Sequence, residues 1–60
     1  MKVGTVVKFV APVNADEAAE RMVVVDDRDS RVLVQHIGGF EDWSIKPQTV
    51  YAVAELVIAE

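Results

Sequence analysis

Cysteine is absent from the 60 residues, and histidine occurs once, at His36. The first absence excludes disulfides. The two together leave a structural zinc site without its usual ligand sets. Aromatic side chains are few: Phe9, Phe40, Trp43 and Tyr51 are the whole complement. Basic residues are in deficit, with six Lys and Arg against ten Asp and Glu and a net charge of −4. Nucleic-acid binders normally carry a basic face, and a net negative field opposes a phosphate backbone, so nucleic acid ranks last among partners. No apolar run approaches the ~20 residues that cross a bilayer. The opening MKVGTVVKFVAPV is broken by Lys8 and Pro12 and leads to no small-residue cleavage pattern, so it is not read as a secretory signal. The expectation is a cytoplasmic protein with no membrane partner.

Catalytic signatures are missing too. The sequence has no GxSxG elbow, P-loop, HExxH or thiol. Gly38-Gly39 is too short to cradle phosphates. Asp26, Asp27 and Asp29 cluster, but DDRDS lacks the alternating oxygens, glycine and closing acid of a calcium loop. They read as a solvated turn with local ion pairs. Glu17 and Glu20 have the ordinary spacing of a solvated helix face. His36 has no serine, cysteine or carboxylate at a recognisable spacing and reads as a structural or surface histidine. No cofactor or metal is expected.

What is present is valine and other aliphatics, in a chain that is 52% hydrophobic. A chain this short buries only about 60% of the surface its unfolded form exposes. Without disulfides or a metal it must rely on a well-packed core or a partner subunit. The central stretch Arg21 to Ile37, RMVVVDDRDSRVLVQHI, holds two apolar runs around a polar hinge at Asp26 to Ser30. β-Branched residues fit a pleated strand and the hinge residues favour a turn, so this predicts a β-hairpin. Gln35 places one face of its second arm toward water, which puts Val32 and Val34 inward. Val23, Val25, Leu33 and Ile37 then form a second apolar face that needs cover.

Around the hairpin, Lys2 to Val10 predicts a first strand, with Gly4 as a bend and Pro12 as its stop. Asn14 to Arg21 is the one helix: Asn14 as N-cap, Glu17 three residues on, acids in the first turn. Val13 is its candidate staple on Ala18, and Ala15, Ala18, Ala19 or Met22 would lean on the sheet. Ile45 and Lys46 resume an extended run up to Pro47. Gln48 to Val53 predicts a strand, Ala54-Glu55 a tight or 3₁₀ turn, and Leu56 to Ala59 a last strand. Short strands with regular turns suggest a small barrel or meander.

The opening GTVVKF, the hairpin ending RVLVQ and the closing VYAVAELVIA resemble the small SH3-like barrels found as short standalone bacterial proteins. The resemblance implies one mainly β domain over residues 1–60. It would be an SH3-like barrel of about five strands, with one short helix in the first long loop, at residues 11–20. The chain lacks the ALYDY-like opening and paired tryptophan of the signalling SH3 domains. It also resembles plasmid-type dihydrofolate reductases in size and closing strands. Their active-site run is VQIY where this chain has PQTVY at Pro47 to Tyr51, so the activity is not carried over.

The leading candidate site is the loop Phe40 to Tyr51. Phe40, Trp43 and Tyr51 would form a ledge for a peptide or a cage for a cation, with Glu41 and Asp42 favouring a basic partner. The competing reading makes Trp43 and Phe40 core filler. The expected function is therefore a non-enzymatic protein- or peptide-binding or assembly module. One alternative is a structural homodimer meeting through the second apolar face. The other is an oligomeric enzyme with its site on a symmetry axis, for which Tyr51 and Gln48 are the named residues.

Overall fold

The computed structural model describes residues 1–38 and 44–59. Five strands follow one another: β1 (Val6–Phe9), β2 (Met22–Arg28), β3 (Arg31–His36), β4 (Gln48–Ala52) and β5 (Leu56–Ile58). A helix, α1 (Ala15–Ala19), lies between β1 and β2, and a 3₁₀ turn (Val53–Glu55) joins β4 to β5. The strands make one antiparallel sheet in the order β4-β3-β2-β1-β5. β4 and β5 stand at the two edges and do not pair with each other.

Side chains alternate across each strand, and one face of the sheet is the core. Val7, Met22, Val24, Val32 and Val34 are fully buried there, with Leu56 nearly so. Met1, Phe9, Tyr51 and Val53 pack against them from the margin. Val32 and Val34 point inward as the hairpin pattern requires. The sheet is strongly curled. Phe9 on β1 and Tyr51 on β4 are three strands apart, yet their rings meet edge to face at 5.3 Å between centroids. β2 makes this curl feasible. Val24 faces Val34 but Asp26 faces Leu33, so Val25 is an extra residue. Such a bulge bends its strand and increases the local twist.

Several boundaries differ from the sequence reading. The hairpin turn is narrower than Asp26 to Ser30. Asp26, Asp27 and Arg28 remain in β2, and Arg28 pairs with Arg31 across a two-residue link. Asp29 takes the left-handed φ of 62° that the link needs, and its amide donates to Asp27 Oδ1 at 3.2 Å. Asp26 Oδ2 accepts from Arg28 Nε at 2.7 Å, one of the local ion pairs expected of this cluster. β1 starts only at Val6, because Gly4 turns the chain with a φ of 92°. The run at Ile45 and Lys46 bends instead of continuing as a strand.

The short helix forms for the stated reason: the Asn14 side chain accepts from the Glu17 amide at 2.8 Å. It does not lean on the sheet through its alanines. Ala15, Ala18 and Ala19 are exposed, and of the four named residues only Met22, which belongs to β2, is buried. Val13 does not staple it, being 79% exposed. The segment is held instead by polar groups. The Val13 amide donates to Glu17 Oε1 at 3.4 Å, and Arg21 Nη1 donates to the carbonyls of Ala18 and Glu20.

Candidate functional site

β1 ends at Phe9 and the chain leaves the sheet as Val10, Ala11, Pro12 and Val13, rising to α1. On the opposite side, β4 ends at Ala52 and passes into the 3₁₀ turn. Between these two departures lies an open groove of about 500 Å³. It is lined by Phe9, Val10, Ala11, Val13 and Glu17, and by Tyr51, Ala54 and Glu55, and the Val10 amide donates to the Glu55 carbonyl at 3.0 Å. The two rings are half-buried, so their outer parts remain available to a ligand. Val10 is 56% exposed, and with Val13 it leaves aliphatic surface in water.

The rim is acidic. Glu17 and Glu55 both line the groove, and each is anchored by the backbone. Glu17 Oε1 accepts from the Val13 amide, and Glu55 Oε2 accepts from the Ala52 amide at 3.0 Å. A carboxylate held by one such bond keeps lone pairs for a cation or N–H donor. An apolar lining with two fixed carboxylates suits a segment that pairs an apolar side chain with Lys or Arg.

Of the candidate residues named from the sequence, Tyr51 belongs to this groove. Phe40, Glu41, Asp42 and Trp43 lie outside the described residues. Tyr51 also packs on the core, which joins the ledge and filler roles in one side chain. Gln48 does not join it. Tyr51 pairs with Val32 on the inner face, whereas Gln48 pairs with Gln35 on the outer face and donates from Nε2 to Gln35 Oε1 at 3.3 Å. Gln48 borders a second open trough of about 550 Å³, with Gln35, Ser44, Ile45, Lys46 and Pro47. The two residues named for a symmetric enzyme therefore address opposite faces within one chain.

His36 has partners that no local spacing announced. Its Nδ1 lies 2.7 Å from Glu20 Oε1, just beyond α1, and its Nε2 lies 3.2 Å from Thr49 Oγ1 on β4. Its ring also stands edge-on to Tyr51 at 6.3 Å. A carboxylate, an imidazole and a hydroxyl in this order resemble a nucleophilic triad. Yet neither the groove nor the trough is lined by Glu20, His36 or Thr49. What the contact does is tie the segment carrying α1 to β3 and β4. Among the described residues no cluster of three or more His, Asp or Glu is arranged to hold a metal ion, and no helix is long and apolar enough to cross a membrane.

No family model matches the chain, and no curated protein and no solved structure matches it.

Proposed function

We propose that the chain is a non-enzymatic binding module whose groove takes an extended peptide segment of a protein partner, apolar with at least one Lys or Arg. The observation that carries the reading is the Phe9–Tyr51 ring pair lining one groove with Glu17 and Glu55. Ring faces and edges give contact area at small entropic cost, and the carboxylates select a cation. The finer fold reading supports the same function. The strand order, the long first connection and the 3₁₀ turn before the last strand suit an SH3-like barrel. Phe40, Trp43, Glu41 and Asp42 are kept as further contacts on their chemistry alone.

The test is selection from a random peptide library on the intact protein, followed by titration of one selected peptide with amide chemical shifts as the readout. Selected peptides should combine Lys or Arg with apolar residues and shift Phe9, Val10, Val13, Tyr51 and Ala54. Val13→Asp and Glu17→Arg change exposed or half-buried side chains, so both variants should fold. Each should weaken binding at least about tenfold, the equivalent of roughly 1.4 kcal/mol. Selection of acidic peptides, or shifts confined to the outer face, would overturn the proposal.

A further inference from the structure

The edge of β4 is open in a way that the edge of β5 is not. His36 N–H donates to the Pro47 carbonyl at 2.9 Å, and Val53 N–H donates to the Ser30 carbonyl at 2.9 Å. Between these points the register of β3 and β4 is unbroken. Antiparallel pairs alternate between bonded and non-bonded, so Thr49 and Tyr51 turn their backbone groups to β3. Gln48, Val50 and Ala52 turn theirs outward. Ala52 N–H is taken by Glu55 Oε2. Among the described residues that leaves the N–H and C=O of Gln48 and Val50 directed outward, whereas the Ala52 carbonyl, at the N-cap of the 3₁₀ turn, already accepts the first bond of that turn and keeps one lone pair. β5 has three residues, and the amide of Leu56 is already given to Val53. Only Ile58 offers a full outward pair there, too little to receive a strand.

Edge strands are normally protected by charge, proline, a bulge or brevity. β4 has none of these: QTVYA is uncharged and regular. Its outward groups are also self-complementary. About a two-fold axis at Val50, Val50 pairs with Val50 of the second copy, and Gln48 N–H meets the Ala52 carbonyl of the second copy. The Ala52 amide, already capped, is not needed. Val50 is 45% exposed on the outer face beside Leu33, so the seam joins two aliphatic patches. A charge-bearing foreign peptide has no matching side chain along β4 itself.

We infer that the protein self-associates by antiparallel β4–β4 pairing, making one continuous ten-stranded sheet from two copies. The interface is one strand wide, below the area of a permanent dimer, so association is weak and concentration-dependent.

Sedimentation velocity of the full chain from micromolar to millimolar should show the mass rising from monomer toward dimer. Amide exchange at Gln48 and Val50 should slow over the same range. Val50→Pro removes an outward N–H and no bond to β3, a position where edge proline is tolerated. It should stay monomeric with an unchanged far-UV spectrum. Should that variant fail to fold, Val50→Lys sets two like charges across the axis and should abolish the dimer equally. A wild type that stays monomeric to millimolar overturns the inference. So does a dimer that forms without protection of Gln48 and Val50, or one unaffected by Val50→Lys.

Discussion

Glu20 and His36 form the tightest polar contact that crosses between elements. Nδ1 donates to the carboxylate, and Nε2 completes the contact with the Thr49 hydroxyl. Both side chains are mostly shielded, at 13% and 25% exposure, so the contact should be worth more than a surface pair. Glu20→Gln and Thr49→Val should cost about 1–2 and about 1 kcal/mol. The Glu20–His36 double-mutant cycle should show a coupling of at least ~0.5 kcal/mol in urea unfolding. Zero coupling would reduce the contact to coincidence. The sequence marked His36 as a structural or surface histidine but gave no hint of its partners. They lie 16 and 13 positions away, and the pairing of β3 with β2 on one side and β4 on the other brings both to one imidazole.

At the level of elements, patterns that are local in origin were legible and those that depend on a neighbour were not. The Asn14 cap, the 3₁₀ turn and the inward Val32 and Val34 are each written in a few adjacent residues. The length of β2 is not. Asp26, Asp27 and Arg28 have turn-forming side chains, yet they stay extended because β3 supplies a pairing partner for each and their side chains reach water. The alanines of α1 misled for a related reason: small apolar residues suit a packed face, but the helix buries nothing. Asn14→Ala should therefore remove about 1 kcal/mol of helix stability while leaving the melting temperature of the sheet almost unchanged. Amide exchange over residues 15–19 should rise and that of β2 and β3 should not. A cooperative loss of protection in both would show that α1 is part of the global unfolding unit. The peptide groove follows the same division. Its acidic and aromatic members were visible as residue types, but Phe9 was read only as one face of a strand. Its meeting with Tyr51 is a product of curvature.

At the scale of the whole molecule, few residues carry the fold. Typical stabilities of 0.05–0.15 kcal/mol per residue give roughly 3–9 kcal/mol for a chain of this length. Among the described residues only Val7, Met22, Val24, Val32 and Val34 are fully buried, and Met22 is the largest of them. It lies on β2, the strand that pairs with both β1 and β3, so a void at Met22 is felt by the three central strands at once. Met22→Ala should cost about 2–5 kcal/mol, a large share of the total, and should lower the urea midpoint sharply or leave the chain unfolded at 25 °C. Ile45→Ser, at a side chain 84% exposed, should move stability by less than about 0.5 kcal/mol. The outer face gives the intermediate case. Val23, Val25 and Leu33 are half-buried by their neighbours on the same face, so Leu33→Ser should fall between the two extremes in dilute solution. If self-association through β4 covers part of that face, the cost of Leu33→Ser should grow with protein concentration. The cost of Met22→Ala, paid inside each copy, should not. Urea unfolding of the three variants at two protein concentrations separates these terms. A Met22→Ala cost no larger than that of Ile45→Ser would mean that the core lies on the other face of the sheet.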